Sequence, residues 1–382
     1  AREGQTIAGA MYGAGVRIFS RSFKYHRPRG LLCMAGRCPN CMVNVNGEPN
    51  VRACMTPVQE GQKIHGQNAW PSVETDVFSA IQAFGALMPV GFYYKSMIRP
   101  RWLWPVYESV IRRIAGLGEV DIETVPEHDY RKEYRHSDVM VIGGGPAGIS
   151  AALHAARAGA EVVLVDDQTS IGGHLRFGRT EDSARALAAE LATEPNIETF
   201  LNATAFGFYE GDLVGVAQGE RVIQIRTKRT IIATGMFEHP LIFKNNDLPG
   251  VMLGSGVQRL LHLDGVVAGD QAVVVTNNDY GLAVAADLLE AGVTVEAVVD
   301  AREVFPNHPV TEALQKSGAR MLPGHTISEA SGGRYVNGAA LVQINADGNI
   351  KPGTEQHIAC DLIVVSTGFE AAAGLIYQSG GK

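Results

Sequence analysis

Four cysteines crowd one short stretch, L-L-C-M-A-G-R-C-P-N-C-M-V-N-V-N-G-E-P-N-V-R-A-C-M-T-P, running from Leu31 to Pro57. Cys33, Cys38, Cys41 and Cys54 follow the spacing C-x4-C-x2-C-x12-C. Thiols so placed serve as metal ligands, as disulfides or as apolar filler. Disulfides fit poorly, because no export signal opens the chain and only Cys360 lies elsewhere. A tetrahedral zinc site normally pairs two C-x2-C knuckles, and one is present here. The C-x4-C-x2-C run with a distant fourth cysteine is plant-type [2Fe–2S] spacing, with zinc and a metal-free vestige as the alternatives. Gly36 relieves the backbone where three thiolates must converge, and Arg37 and Arg52 offset their negative charge. The fourth thiolate arrives after a hairpin, signalled by Val43-Asn44-Val45 and the Asn46-Gly47 turn. Cys360, in H-I-A-C-D-L ahead of an apolar strand, reads as structural.

A second chemistry is written between Asp138 and Asp167, D-V-M-V-I-G-G-G-P-A-G-I-S-A-A-L-H-A-A-R-A-G-A-E-V-V-L-V-D-D. A strand at Val139–Ile142 feeds G-x-G-x-x-G at Gly143, Gly145 and Gly148. A small-residue helix opened by Pro146 and Ala147 follows, then a strand at Val162–Val165 ending in Asp166 and Asp167. Strand, turn, helix, strand and acid together are the dinucleotide fingerprint. Gly143 makes the turn, Gly145 admits the pyrophosphate, and Gly148 lets helix and strand pack closely. The helix N-terminus carries the anion. Asp166 or Asp167, with a lean to Asp166, takes the ribose hydroxyls, and an acid there disfavours NADP. NAD and FAD use the same glycines and acid, so both stay open. Gln168, Gly172, Gly173 and His174 are expected along the same cofactor, as are the turns Ala233-Thr234-Gly235 and Gly368 after two further strands.

These groups need elements to hold them. The chain has 382 residues, 46% hydrophobic and 19% charged, which is enough for two or three domains with sizeable cores. Its net charge of -7 argues against a nucleic-acid binder, and no apolar run reaches membrane length, so a cytoplasmic protein without a membrane span is expected. The pattern divides into an α+β, plant-type ferredoxin-like [2Fe–2S] domain at 1–85, a connector at 86–135, and an α/β FAD/NAD(P)-binding domain at 136–382. The last is Rossmann-type and disulfide-reductase-like, with a second Rossmann-like unit inserted at about 245–330. In that unit Gln271 to Arg302 reads strand, T-N-N-D-Y-G turn, helix and strand ending in Asp300, with the glycine pattern eroded. It keeps the fold and binds nothing, or binds the edge of a partner's cofactor. A helix is read from Ala8 to Val16, and strands normally precede it in a ferredoxin-like domain, so more chain is expected before Ala1. The connector is rich in aromatics and arginines, and Tyr93, Tyr94, Trp102 and Trp104 are expected to anchor it on a neighbour.

The histidines show no nucleophile–base pattern, and no catalytic residue is assigned. His26, among Lys24, Arg27 and Arg29, is expected to pack near an acidic cofactor or partner.

Together these stretches resemble the alpha subunit of heterotetrameric sarcosine oxidase and the alpha subunits of opine, proline and hydroxyproline dehydrogenases. The resemblance rests on R-S-F-K-Y-H-R-P-R-G at Arg21–Gly30, V-R-A-C-M-T-P at Val51–Pro57, F-Y-Y-K, P-R-W-L-W-P-V-Y-E, G-G-G-P-A-G, T-N-N-D-Y-G, V-V-D-A-R and S-T-G-F-E. It implies an oxidoreductase complex that oxidises the C–N bond of sarcosine or another N-methyl or secondary amino acid. A beta subunit would carry the catalytic FAD, an FMN would lie at the alpha–beta interface, and this subunit would bind NAD or FAD. Small gamma and delta subunits or a separate folate-binding subunit are further implied partners, since family alpha subunits continue into a folate-binding domain that is not seen before Lys382. Many alpha subunits of the oxidase lack the cluster cysteines; their presence here points to electron export through iron–sulfur, so that a dehydrogenase stands beside an oxidase as an open reading. The competing readings are a self-contained NAD(P)H-dependent iron–sulfur reductase and a structural nucleotide-binding scaffold.

Overall fold

The computed structural model describes residues 1–87, 91–95, 98–114, 130–178 and 180–380. The chain divides into two compact units, Ala1–Glu123 with Glu238–Gly368, and Thr124–Phe237 with Phe369–Lys382.

In the first unit the chain opens on a helix, Ile7–Gly13, whose N-cap Thr6 accepts the Gly9 N–H at 3.0 Å. Its buried side, Ile7, Ala8 and Tyr12, follows helical spacing. The predicted hairpin is present: Met42–Val45 pairs antiparallel with Glu48–Arg52. Asn46 (φ 52°) and Gly47 (φ 91°) make its turn, the left-handed pair that matches the twist of the flanking strands. The same unit holds a five-stranded parallel sheet in the order Val251–Leu253, Leu362–Ser366, Gln271–Thr276, Thr294–Asp300, Arg320–Pro323. Its central strands are near-continuous Val, Ile and Ala because both faces are covered. The two halves of this unit share one core: Ile7, Phe19, Leu31 and Val43 pack in the same cluster as Met252, Val257, Leu260, Leu282 and Val295.

The second unit is a six-stranded sheet in the order Ile197–Phe200, Val162–Val165, Arg131–Ile142, Arg221–Ile232, Leu213–Gln218, Ala203–Tyr209. Its first four strands are parallel, and the helix Pro146–Arg157 crosses between two of them. The strand entering the glycine turn begins at Arg131, well before Val139. Its first half, R-K-E-Y-R-H, is half-exposed and charged, so apolar periodicity does not reveal it.

On the connector Trp102 is 73% exposed and Tyr94 68%, so neither is buried within this chain. The helix Trp104–Ile114 turns Ile111 inward and leaves Val106 and Val110 in solvent. Trp104 is half-buried and packs its ring 5.9 Å from that of Tyr107. The side chain of Tyr93 lies outside the described residues. Among the described residues no helix is long and apolar enough to cross a membrane.

Candidate functional site

The four thiols meet as two pairs. Cys33 and Cys38 approach at 3.4 Å between sulfurs, and Cys54 hydrogen-bonds to Cys41. All five cysteines are free, and Cys33, Cys41 and Cys54 are at most 5% exposed. The loop 33–41 aims its backbone N–H groups at the sulfurs: Ala35 to Cys33 at 3.5 Å and Gly36 to Cys54 at 3.4 Å, joined by those of Arg37 and Cys38 to Cys33 and Asn40 to Cys38. Gly36 (φ 67°) is needed there, for a Cβ would meet Met55 Cγ at 2.8 Å. Such donors stabilise thiolates. Cys33 is drawn down to about 6, chiefly by its hydrogen bond with Cys38, and Cys41 is lowered by its hydrogen bond with Cys54. Cys38 and Cys54, the other members of the two pairs, are raised.

Among the described residues no three or more His, Cys, Asp or Glu side chains converge on a point fit for one metal ion. Two pairs of thiols in a nest of N–H donors suit a two-iron, four-thiolate group, whose charge is negative and divided over two irons. The helix Gly254–His262 supports this loop from the other half of the same unit. Leu253 N donates to Leu32 O at 3.0 Å, and a Cβ on Gly256 would meet Leu32 O at 2.5 Å.

The basic stretch finds its acids inside the chain, which corrects the expected cofactor or partner. His26 Nδ1 lies 2.6 Å from Asp76 Oδ2, both side chains being buried. Asp76 Oδ1 also accepts from Trp70 N and Phe78 N, each at 3.1 Å. Arg27 grips Asp247 through two hydrogen bonds of 2.7 Å, and Arg29 adds a third contact at 3.1 Å. No local pattern marks Asp76 or Asp247, because each meets its partner only through the fold.

In the second unit the glycine turn is built from close backbone approaches. Gly143 (φ 110°) bends the chain where a Cβ would strike the Ala233 carbonyl, so Gly143 and the Ala233-Thr234-Gly235 turn are brought together. A Cβ on Gly148 would strike the Gly143 carbonyl. At Gly145 the nearest atom is the Cα of Gly173, 4.0 Å away, so the chain leaves that side open. The helix Pro146–Arg157 starts with proline at its first turn and no side-chain cap hydrogen bond, so its first N–H groups carry no side-chain cap. Gly172 N donates to Gly144 O at 2.7 Å, which folds the Gly172-Gly173 bend onto the turn. Asp166 is half-buried and accepts from Gly144 N at 2.5 Å and Gln168 N at 2.8 Å. Burial raises its pKa against these two donors. Asp167 accepts from the Gln168 side chain at 2.6 Å, and His174 is exposed. Thr234 donates to Ala372 O at 2.8 Å. Gly368 (φ 148°) belongs to the other compact unit, after the strand Leu362–Ser366.

The eroded turn of the first unit contrasts with this cleft. The side chain of Asn278 accepts from Gly281 N at 3.1 Å and so caps the helix Asp279–Glu290. A Cβ on Gly281 would collide with Thr276. Asp300, fully buried, is held by Arg302, whose Nη1 also reaches Asp279 at 2.7 Å. Sequence reading also missed Glu238, 4% exposed, whose Oε2 accepts from Ser255 N at 2.7 Å at the start of the helix Gly254–His262.

Comparison with known proteins matches the same two regions. Residues 1–69 fit the family described as 2Fe-2S iron-sulfur cluster binding domain, and residues 137–382 fit Pyridine nucleotide-disulphide oxidoreductase. The chain belongs to the pyridine nucleotide-disulphide oxidoreductase family. With its N-terminal 2Fe-2S domain it has the make-up of the alpha-subunit family of sarcosine and opine oxidases. It is 35% identical to the sarcosine oxidase subunit alpha of Rhizobium meliloti, over 100% of this chain and 40% of that protein. It is 30% identical to the one of Corynebacterium sp., over 99% of this chain and 37% of that protein. The L-proline dehydrogenase of P. horikoshii superposes with a TM-score of 0.62 at 21% identity, over 100% of this chain and 60% of that one, which is a likeness of fold. The chain thus spans about two-fifths of the curated relatives it matches. The predicted fold class, ferredoxin-like [2Fe–2S] domain plus disulfide-reductase-like dinucleotide fold, is the one found, and the family is one of oxidoreductases.

Proposed function

We propose that this chain is the electron-transferring, alpha-type subunit of a multisubunit flavoenzyme that oxidises the C–N bond of sarcosine or a related secondary or N-methyl amino acid. The observation that carries it is the pairing of four thiols in a nest of backbone N–H groups. Cys33 with Cys38, and Cys41 with Cys54, would hold one iron each of a [2Fe–2S] cluster, which when bound takes up and releases single electrons. Ala35, Gly36 and Asn40 orient the thiolates and favour their charge, while the buried wall of Leu31, Met34 and Val43 keeps water off the sulfurs.

NAD or FAD would lie in the cleft of the second unit, its pyrophosphate on the uncapped helix Pro146–Arg157 and its backbone over Gly145. Asp166 locks the turn, and Asp167 is left for the ribose hydroxyls. Gln168, Gly172, Gly173 and His174 form the wall beyond. We place substrate oxidation in a beta subunit carrying FAD, with FMN at the shared interface, in keeping with the alpha-subunit names of the relatives. A cytoplasmic setting, where thiols stay reduced, suits cysteines kept for cluster ligation.

An anaerobic titration of the purified complex with sarcosine, proline and NADH, followed by visible spectra and low-temperature EPR, tests this. A secondary amino acid should reduce the complex and bring up a rhombic iron–sulfur signal. Reduction by NADH of this chain alone, with no response to any amino acid, would replace the proposal with a self-contained reductase. Denaturing the complex and weighing the released nucleotide decides NAD against FAD.

A further inference from the structure

We propose that Arg29 is the charge that sets the reduction potential at the Cys33–Cys38 pair, and that Asp247 positions it and moderates its effect. The inference rests on the [2Fe–2S] reading of the four thiols. Arg29 ends the short strand Pro28–Arg29 and faces Ser20 across a two-stranded ladder. Ser20 Oγ in turn donates to Asn40 O at 2.8 Å, which ties this ladder to the loop carrying Cys38 and Cys41. Arg29, Leu32, Asn40 and Asp247 line one cavity of about 160 Å³.

The local charges are unequal. Asp247 is already held by two hydrogen bonds from Arg27, and its contact with Arg29 Nη1 is single and longer, 3.1 Å. Two guanidiniums thus share one carboxylate and leave one positive charge over. The Arg29 side chain is only 28% exposed, whereas Arg37 and Arg52 stand in solvent, where water and salt weaken them. Burial pulls the Arg29 pKa down, Asp247 pulls it up, Arg27 pulls it down and the Cys38 sulfur adds the smallest, upward pull. The cavity that Arg29 shares with Leu32 and Asn40 places its cation beside the loop that carries Cys38. An electron added to a group on Cys33 and Cys38 meets a cation in a medium of reduced dielectric, and cluster potentials follow local charge, hydrogen bonding and exposure.

The test is an EPR-monitored redox titration of the purified complex carrying R29M, R29K or D247N, with iron and sulfide content measured on each. R29M should lower the reduction equilibrium about tenfold, about 59 mV more negative for one electron. R29K should restore most of the shift, and D247N should move the midpoint positive. Iron-loaded R29M with the native midpoint overturns the inference alone. If R29M loses its iron, D247N decides: a positive shift supports the assignment, and no shift or a negative one overturns it. A native complex with no [2Fe–2S] signal after full reduction overturns the cluster reading, and this inference with it.

Discussion

Three glycines of one turn differ in what surrounds them, and substitution should separate stability from binding. Gly143 and Gly148 lack a Cβ because the chain itself occupies that space, and Gly143 also needs a positive φ. G143A should destabilise the protein by about 1–3 kcal/mol in chemical denaturation, the cost of a strained backbone position. Gly145 has ordinary backbone angles (φ -76°, ψ 179°) and no chain atom closer than 4.0 Å to its missing Cβ. G145A should therefore melt with the native protein while retaining nucleotide at least tenfold more weakly, as read by mass after gel filtration. Unchanged retention would count against the cleft. A second residue is legible only in three dimensions. Burial raises the pKa of Glu238 above the ordinary carboxylate range, although Ser255 N donates to it. A carboxyl raised in the folded state favours folding at low pH, and that contribution is lost as pH rises through the folded pKa. E238Q, which keeps the acceptor for Ser255, should melt above the native protein at neutral pH, with the gap closing towards about pH 4. A gap that widens on acidification would show that the charged form is the favoured one.

At the scale of elements, the two nucleotide-type folds differ in how their helices begin. Both have strand, turn and helix, and both end their second strand in an acid. In the second unit the helix Pro146–Arg157 starts uncapped and its glycines leave space, whereas the helix Asp279–Glu290 is capped by Asn278 and its acid is neutralised by Arg302. The eroded glycine pattern in T-N-N-D-Y-G signalled that difference, but the role of Arg302 did not show, since an Arg two residues past an acid has no periodic signature. The hairpin between the third and fourth cysteines was fully legible, because Asn-Gly turns carry their own backbone preference. G47A should cost about 1 kcal/mol or more, since Ala must enter the left-handed region there, and it should lower iron content by loosening the arm that brings Cys54. A G47A protein with native stability and full iron would show that the turn is not limiting. In the connector, Trp102 and Tyr94 are exposed in this chain, so aromatic content there does not report burial within it.

At the scale of the molecule, the N-terminal thiol-bearing segment is not an appendage. Its apolar side chains complete the core around Met252, Val257 and Leu260, and Gly30 and Gly256 allow backbone contact across that seam. Removing residues 1–69 should therefore expose a continuous apolar face and give aggregated protein, checked by light scattering; a monodisperse, cooperatively melting remainder would refute the shared core. The sequence by itself determined the thiol spacing, the glycine fingerprint, the hairpin turn and the parallel strands, since each is a local pattern whose chemistry or backbone preference travels with its residues. Only the tertiary structure decided that four thiols pair two by two, that His26 and Arg27 find Asp76 and Asp247 within the chain, and that one of two similar turns is filled by its own side chains. The two ion pairs join groups 50 and 220 residues apart, and even the short-range thiol pairs and the Asn278 cap need the fold to aim their side chains. Their meeting is set by packing around a common core, which no stretch of sequence carries alone.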